Sequence, residues 1–340
     1  MRALVTGATG FVGAAVARRL AFEDIRVRAL VREKSNLVNV SMLNIEITTG
    51  DLNDVDSLKR AVVGCDVVFH VAADYRLWAQ NPNEIVRTNV EGTRNIIDAS
   101  CNYGVKKIIY TSSVATLGTR KDGTPANECT RVSLSDMIGV YKKSKYLAER
   151  EVEKLIKIKR APVVIVNPST PIGPGDQKPT PTGRFIIRAA SGKMPAFVDT
   201  GLNIVHVDDI AEGHILAMKH GIIGEKYILG GENMTLKEIL VIIANLRGHK
   251  PPFIKLSHNL ILPIAWISEN WTKVTGGKHP MCSIDEVKMA RKKMFFSSER
   301  AQRELGYTWG SPNDAISDSL GWFEQHGYLE KKSHSLGYKI

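Results

Sequence analysis

A tyrosine and a lysine stand four residues apart at Tyr141 and Lys145, a spacing that places both on one face of a helix. A tyrosine with an ordinary pKa of about 10 is a poor proton donor or acceptor at neutral pH. A neighbouring ammonium group stabilises the phenolate and brings that pKa toward the working range. The pair therefore predicts general acid/base chemistry, in which Tyr141 transfers the proton and Lys145 lowers its pKa.

Hydroxyl groups are concentrated in residues 110–116, where Ser112 and Ser113 follow a predicted strand. Ligands of a doubly wound sheet gather at the carboxyl ends of its strands. Serine is also common where strands turn, and alone this cluster would indicate only the end of a strand. The tyrosine and lysine favour the interpretation that the serines belong to a site.

A glycine-rich turn, residues 6–13, separates the first predicted strand from the first predicted helix. Glycines there permit a tight turn and a close approach of backbone N–H groups to a pyrophosphate. The order of strand, turn and helix makes this more specific than a glycine triplet elsewhere, and it predicts dinucleotide binding. The residues expected at the cofactor are Gly7, Thr9, Gly10, Phe11, Val12 and Gly13.

The end of the second predicted strand selects between cofactors. An acidic residue there accepts a hydrogen bond from the ribose 2′-hydroxyl of NAD, whereas an arginine pairs with the 2′-phosphate of NADP. Arg32 occupies this position, with Lys34 close by, and favours NADP. Glu33 favours NAD if the turn is shifted by one residue, so NAD stays open.

The elements that must position these residues alternate short β-branched runs with helical patterns, which is typical of βαβ units. We expect an α/β fold with a doubly wound sheet of six parallel strands and a smaller C-terminal substrate lobe. The strands are predicted at 2–6, 26–31, 45–49, 67–71, 107–111 and 163–167, and the main helices at 10–20, 55–62, 84–103 and 137–157.

Prolines and glycines after residue 168 mark the point where this alternation stops. Regular patterns return with a strand at 204–207, a helix at 208–219 and a capping box, Thr235 to Glu238, that opens a helix over 239–246. The predicted domains are a dinucleotide-binding domain at 1–170 completed by 204–220, a substrate lobe at 171–203 and 221–330, and a tail at 331–340.

Composition narrows the class of protein. With 340 residues, 43% hydrophobic and 24% charged, the chain is typical of a folded globular protein. The four cysteines are far apart, which indicates neither a disulfide framework nor a metal site and fits reduced thiols in a cytoplasm. We expect no signal peptide and no transmembrane segment, because every apolar run is too short.

Lysine and arginine exceed aspartate and glutamate, for a net charge of +11. Such an excess attracts nucleic acid, anionic membranes or phosphorylated ligands. The densest clusters, at 154–160 and 291–293, contain no aromatic residues of the kind a single-strand binder uses. We expect them to be solvated faces and expect no nucleic-acid partner.

The GxxGxxG spacing of the turn resembles the extended short-chain dehydrogenase/reductase family, also described as NAD-dependent epimerases/dehydratases. Further landmarks match at residues 50–52, 70–73 and 88–93, the last carrying a structural asparagine at Asn89. The resemblance implies a Rossmann fold and a catalytic set of Ser113, Tyr141 and Lys145. In this set Ser113 orients the substrate oxygen, and Lys145 also holds the nicotinamide ribose.

The same resemblance assigns further cofactor contacts. It places Asp51 at the adenine, residues 71–73 along the cofactor and residues 167–174 beside the nicotinamide carboxamide. The residues that it adds to the cofactor site are Asp51, Leu52, Val71, Ala72, Ala73, Pro168 and Ser169.

Blocks at 73–78, 166–171, 178–184, 198–203 and 289–298 look like the hopanoid-associated sugar epimerase group. This resemblance implies a sugar epimerase linked to hopanoid lipid metabolism. Leu117 and Pro168-Ser169 instead resemble dihydroflavonol reductases and hydroxysteroid dehydrogenases, which implies an NADPH-dependent ketone/alcohol oxidoreductase as the alternative. A non-catalytic NADP-binding protein is a minor alternative, since such proteins usually lose catalytic residues and none is missing here.

The substrate pocket is expected to draw on residues that follow the cofactor-lining strand and on residues of the smaller lobe. These are Asp74, Tyr75, Arg76, Trp78, Arg184, Asp199 and His206. Arg76 and Arg184 would suit an anionic or sugar substrate. For Trp78 core packing, for Arg184 a surface charge and for His206 a satisfied buried histidine are the competing interpretations.

Two expectations concern surfaces. The apolar stretch 256–271 is expected to pack in a core, with contact to a lipid-like substrate or a membrane surface as the alternative. The family resemblance also implies a homodimer through the helices at 84–103 and 137–157.

Overall fold

A seven-stranded parallel sheet forms the centre of the molecule. The computed structural model describes residues 1–76, 81–275 and 283–330. In spatial order the strands are β10-β6-β5-β4-β1-β2-β3, and every pairing between them is parallel. Their bounds are β1 Arg2–Thr6, β2 Arg26–Val31, β3 Glu46–Thr49, β4 Val67–His70, β5 Lys107–Thr111, β6 Val163–Pro168 and β10 Lys226–Leu229. The predicted doubly wound Rossmann fold is confirmed.

The central sheet has one strand more than the six that the sequence predicts. Lys226–Leu229 lies in the range assigned to the smaller lobe, yet it pairs along β6 as the seventh strand. Four residues between glycine-containing turns are too few to show a strand period, so no local pattern predicts this strand. The helix at Glu299–Leu305 also packs on the sheet, because Ala301 and Leu305 share a hydrophobic core with β1.

Helices cover both faces of the sheet. Leu20 of the first helix and Ile215 of the sixth pack on one face. Ile96 of the third and Val152 of the fourth pack on the other. The bounds are α1 Phe11–Phe22, α2 Val55–Val62, α3 Pro82–Asn102, α4 Gly139–Lys159, α6 Val207–His220 and α10 Glu299–Leu305.

A smaller lobe lies beyond the carboxyl end of β6. It contains a four-stranded sheet in which β9 pairs with β7, β11 and β13, and a separate pair formed by β8 and β12. The predicted capping box is present, since Thr235 and Glu238 cap each other's backbone N–H groups. The elements are β7 Thr170–Ile172, α5 Pro181–Ala190, β8 Ala196–Val198, β9 Gly201–His206, β11 Glu232–Thr235, α7 Leu236–Arg247, β12 Ile254–Leu256, α8 His258–Thr275, α9 Ile284–Ala290, β13 Lys293–Met294 and α11 Pro312–Gln325.

Helix α8 turns its most apolar side outward. Leu260, Ile264, Ile267, Trp271 and Val274 follow helical spacing and are all exposed, with Trp271 at 70%. The expectation that this stretch packs in a core is therefore wrong, because the buried side of the helix consists of smaller residues such as Ala265 and Thr272. Within the described ranges, no helix has both the length and the apolar character to cross a bilayer.

Candidate active site

The carboxyl end of β5 leads directly into a short 3₁₀ turn, Val114–Thr116, that begins at Ser113. The Ser113 hydroxyl oxygen accepts a hydrogen bond from the backbone N–H of Ala115 at 3.1 Å. Because this cap fixes the side chain, Ser113 is held at the edge where ligands of a doubly wound sheet bind.

Tyr141 lies in the first turn of α4, which begins at Gly139 with a positive φ of 80°. The structure brings the Tyr141 side chain close to that of Ser113. Burial raises the pKa of Tyr141, and the hydrogen bond with Ser113 offsets part of that rise. The two predicted catalytic hydroxyls therefore meet, although they come from different elements.

Lys145 is 2% exposed and lies one helical turn beyond Tyr141. Its Nζ donates to the carbonyl oxygen of Thr111 at 2.8 Å and to the Tyr110 hydroxyl at 3.4 Å. Burial lowers the pKa of Lys145 to about 8. The Nζ of Lys145 is directed at Thr111 and Tyr110, and the lowering of the Tyr141 pKa by Lys145 stays a prediction.

A buried carboxylate supports this arrangement from behind, and the sequence analysis missed it. Glu149 is fully buried and accepts hydrogen bonds from the hydroxyls of Ser112 and Thr116 and from the amide of Asn167. Lys226 of β10 lies 2.6 Å away and, with the hydroxyl donors, keeps the pKa of Glu149 low despite burial. We call these five residues the Glu149 network. Its signal was available, because Glu149 is four residues after Lys145 on α4.

The glycine turn has the geometry that a dinucleotide requires. Gly7 has a φ of 71°, and a Cβ there would come within 2.8 Å of the backbone of Ala72. A Cβ on Gly13 would lie 2.1 Å from the carbonyl oxygen of Gly7. Helix α1 starts at Gly10 without a side-chain cap, so its first N–H groups are available to a phosphate. Thr9, Phe11 and Val12 lie at this helix start, as expected.

The strand ends beside the turn are joined by hydroxyl and imidazole groups. Thr6 Oγ1 lies 2.8 Å from Nδ1 of His70, and Nε2 of His70 lies 3.0 Å from Oγ1 of Thr93. Burial lowers the pKa of His70 to about 3, so its ring is neutral. The backbone N–H of Ala72 donates to Thr6 Oγ1, which fixes residues 71–73 against the turn.

Residues expected at the adenosine end lie at the carboxyl ends of β2 and β3. Arg32 is exposed immediately after β2. Asp51 follows β3 and accepts two hydrogen bonds from Asn53 on one oxygen, while Leu52 is buried beneath Gly92 of α3. Arg32 forms no ion pair with any described residue, which leaves its guanidinium available to a phosphate.

Two buried polar atoms at the carboxyl end of β6 have no hydrogen-bond partner among the described residues. They are Oδ1 of Asn167 and Oγ of Ser169, on either side of Pro168. A carboxamide carries both a donor and an acceptor, so it would satisfy such groups. Together with the open start of α1, these atoms show that the residues present fit a nicotinamide dinucleotide.

Two of the substrate residues predicted after β4, Asp74 and Arg76, already bind each other. Arg76 forms a two-pronged ion pair with Asp74, at 2.6 Å for its shortest contact, so its charge is already compensated. Asn89 of α3 holds the backbone of Asp74 through both its amide oxygen and its amide nitrogen. Tyr75 is 45% exposed, and Trp78 lies outside the described residues.

The three candidates of the smaller lobe, Arg184, His206 and Asp199, have different surroundings. Arg184 on α5 lies near Asp176, a buried carboxylate whose pKa is raised to about 6 by burial. Asp176 was not predicted, and its position in a loop rich in glycine and proline gave no periodic signal. His206 caps α6 by accepting from the N–H of Asp208 at 3.0 Å, so helix capping explains it. Asp199 is an exposed partner of Lys255 at 2.8 Å.

A model of the NAD dependent epimerase/dehydratase family matches residues 3–230. The chain belongs to this family. It is therefore an NAD(P)-dependent enzyme, and the family resemblance read from the glycine turn is confirmed. The matched range includes the turn, the Ser113–Tyr141 contact, Lys145 and the seventh strand of the sheet.

Similar proteins cover nearly the whole chain. A "Putative dihydroflavonol 4-reductase" of Synechocystis is 43% identical, over 96% of this chain and 95% of that protein. "Sterol demethylase protein B" of Methylococcus capsulatus is 32% identical, over 97% and 100%. The crystal structure of gox2253 is 53% identical, with a TM-score of 0.87 over 96% of this chain and 99% of that one.

Proposed function

We propose that the protein is an NADP-dependent oxidoreductase that interconverts a ketone and an alcohol. The observation that carries this proposal is the contact between Ser113 and Tyr141 at the carboxyl end of β5, with Lys145 one helical turn away. Arg32, exposed and without an ion-pair partner in the described part of the chain, supports NADP over NAD.

The residues divide the work as follows. The nicotinamide, when bound, supplies the hydride for reduction or accepts it in oxidation. Ser113 donates a hydrogen bond to the substrate oxygen and holds it at the Tyr141 hydroxyl. Tyr141 gives a proton to that oxygen in reduction and takes it back in oxidation. Lys145 would hold the nicotinamide ribose, and its ammonium would lower the pKa of Tyr141 in the loaded enzyme.

A sugar epimerase linked to hopanoid metabolism is the second candidate, and it rests on the resemblance of the sequence blocks, while the family is named for epimerases as well as dehydratases. An epimerase must keep its cofactor between two hydride steps. Leu117 and Pro168-Ser169 support the reductase, and so does similarity to a protein named as a dihydroflavonol reductase. A cytoplasmic location, a homodimer through α3 and α4, and peripheral membrane contact through α8 complete the proposal.

The deciding experiment identifies the nucleotide that the purified protein retains after denaturation and then titrates the empty protein with NADPH and NADH. We expect an empty protein that prefers NADPH and oxidises it in the presence of a panel of ketones. Retained NAD that washing does not displace would establish the epimerase instead.

Tyr141→Phe tests the catalytic assignment. We expect it to lower turnover by roughly 10²–10⁴-fold, the usual contribution of a positioned acid/base, while NADPH affinity stays within twofold of the original protein. Turnover that survives the substitution would overturn the role of Tyr141. Inactivity of the original protein toward every carbonyl offered would favour the non-catalytic NADP-binding alternative.

A further inference from the structure

An asparagine between β2 and β3 joins three segments around the proposed cofactor site. Asn39 is half-buried, and its side-chain nitrogen donates to the carbonyl oxygen of Gly175 at 3.0 Å and to that of Thr9 at 3.3 Å. A primary amide nitrogen carries two N–H donors, so one side chain serves both carbonyls. Thr9 lies in the glycine turn, and Gly175 lies in residues 173–177, the segment after β7 that we call the strap.

The strap lies against the start of α1. A Cβ on Gly175 would lie 4.0 Å from the ring of Phe11, the first residue of that helix. Gly175 has a φ of 98°, and its carbonyl oxygen also accepts from the N–H of Gln177 at 2.8 Å. The first N–H groups of α1 are those that a cofactor phosphate would use, so the strap lies next to the phosphate position.

The contact between Asn39 and Thr9 also fixes the glycine turn. A peptide unit is planar, so a hydrogen bond at the Thr9 carbonyl holds the N–H of Gly10 that follows it. That N–H donates to the carbonyl oxygen of Gly7 at 2.9 Å, which closes the turn. Asn39 therefore constrains both the turn and the strap, on two sides of the phosphate position.

The segment that carries Asn39 begins with the residue proposed to select NADP. The N–H of Arg32 donates to the Ser35 hydroxyl at 3.1 Å, and the N–H of Ser35 donates to the Arg32 carbonyl at 2.9 Å. Val40, directly after Asn39, is 2% exposed and belongs to the same hydrophobic core as α1. The position of Arg32 is thus connected to Asn39 through a local turn and a buried anchor.

The other end of the strap is tied to the smaller lobe. Asp176 is buried and accepts from the N–H of Thr180 at 2.9 Å and from its hydroxyl at 2.8 Å, and Thr180 caps α5. A Cβ on Gly183 of α5 would lie 2.1 Å from the Asp176 carboxylate, so the two segments fit closely. The Tyr328 hydroxyl donates to the carbonyl oxygen of Gln177. A displacement of the strap would therefore move the start of α5.

We propose that Asn39 is a positioning residue that fastens the strap over the bound dinucleotide and slows its release. The inference rests on the proposed NADP-dependent function, in which Arg32 at the head of the same segment takes the 2′-phosphate. When Arg32 holds that phosphate, its segment is ordered, Asn39 holds the strap, and the strap holds α5 through Asp176. Cofactor binding is in this way coupled to the substrate lobe.

The first test measures the release of NADPH from the full-length protein by stopped-flow fluorescence, with excess NADP as the competitor. Asn39→Asp replaces the donor by a carboxylate that faces two carbonyl oxygens. It should raise the dissociation rate constant about tenfold or more, as expected for two lost hydrogen bonds. Asn39→Ala removes the donor without adding charge and serves as the second variant if Asn39→Asp does not fold.

Asn36→Asp is the matched control for this measurement. It adds the same charge to the same segment at an exposed position, and it keeps the oxygen that accepts from the N–H of Val38. The added charge is screened by solvent and salt, so release should change less than about threefold.

The second test follows amide hydrogen exchange in peptides from residues 173–183, with and without NADP. In the original protein NADP should slow this exchange, and Asn39→Ala should remove the protection. A purely structural role of Asn39 would change exchange equally in the free and the loaded protein, so the difference between the two states is the readout.

Two results would overturn the proposal. One is equal acceleration of NADPH release in Asn39→Asp and Asn36→Asp, which would show an effect of charge alone. The other is exchange at residues 173–183 that NADP slows neither in the original protein nor differently in Asn39→Ala. A failure of the proposed hydride transfer is distinguishable, because a protein that binds NADPH without reducing any ketone leaves release and exchange measurable.

Discussion

Two regions that contact α4 differ in whether their lysines have carboxylate partners. In the Glu149 network, Lys226 lies 2.6 Å from both Glu149 and Glu153. The buried carboxylate has four further donors, which are the hydroxyls of Ser112 and Thr116, the amide of Asn167 and the guanidinium of Arg150. The second region is a cavity beside the start of α4, and its cationic lining includes Lys142 and residues 291–293. Lys142 has no carboxylate partner in the described chain. Lys226, which contacts the middle of α4 from β10, is thus compensated, and Lys142 at the start of α4 is not.

The difference separates a region that stabilises the fold from a region whose charges are available to a ligand. A buried carboxylate with a full set of donors fixes β5, β6, β10 and α4 relative to one another, which holds Ser113 and Lys145 in place. Uncompensated cations stabilise no fold, and their mutual repulsion opposes folding until an anion binds. Substitutions of lysine in the two regions should therefore have effects of opposite sign on stability.

The largest effect is expected from Lys226→Met. It leaves Glu149 buried without its closest cation, and removing one partner of a buried ion pair costs about 3 kcal/mol or more. Chemical denaturation at pH 7 should show this loss in the free energy of unfolding. Lys157→Met, on an exposed position of α4, is the control, and a loss below about 1 kcal/mol in Lys226→Met would contradict the role assigned to the pair.

A second prediction concerns the pH dependence of stability, which two buried histidines should cause. His70 and His214 are buried and neutral, with pKa values lowered by burial to about 3 and about 4. Both lie below the ordinary value of 6.5, so the unfolded chain binds protons first as pH falls. Stability should be complete above pH 6.5 and decrease by roughly 1 kcal/mol per pH unit for each histidine between pH 6 and 4.5.

His214→Gln should remove about half of that slope, as measured by denaturation at pH 7.5, 6 and 5. The slope, rather than the absolute stability, is the readout, because the substitution also alters the hydrogen bond between His214 and Thr111. His220→Gln, on an exposed position of α6, should keep the full slope. A slope that is the same in all three proteins would show that the buried histidines do not cause it.

The smallest effect is expected from Lys142→Met without added anion. Removing an uncompensated ammonium should raise the free energy of unfolding by about 1 kcal/mol in low salt, and added salt should reduce the gain. The pKa of Lys142 is lowered to about 8, so its unfavourable contribution should fade as pH rises from 8 toward 10. Denaturation in roughly 20 mM to 500 mM salt, which shortens the Debye length from roughly 20 Å to about 4 Å, checks this against Lys143→Met, and a loss of stability would contradict it.

Much of the fold was predictable from local patterns. The first, second and fifth strands and helix α2 have the predicted bounds, because long apolar runs and caps mark them. The start of α4 was placed at residue 137, yet Gly139 begins it, since residues 134–136 form a separate 3₁₀ turn. Strand β10 was missed because its place in the sheet depends on β6, which no local pattern reports.

The candidate site was predictable where spacing carries the chemistry. The order of strand, glycines and helix indicated the turn, and the interval of four residues indicated Tyr141 and Lys145. The same interval of four residues also leads from Lys145 to Glu149, but the partner Lys226 could not be derived in this way, because it comes from a segment far along the chain. Asp176 lies in a loop that carries no periodic signal. Arginine and histidine are common in functional sites, but Arg76 is paired with Asp74 and His206 caps the start of α6.

The late position of β10 also sets the order of events during synthesis. Glu149 leaves the ribosome 77 residues before Lys226, a delay of roughly 4–15 s at usual elongation rates. Throughout that interval β6 is an open sheet edge, and the acid beneath the catalytic turn has no partner from β10. The part of the chain that contains every proposed catalytic residue therefore finishes folding only after the ribosome has translated β10, about 80 residues beyond Lys145.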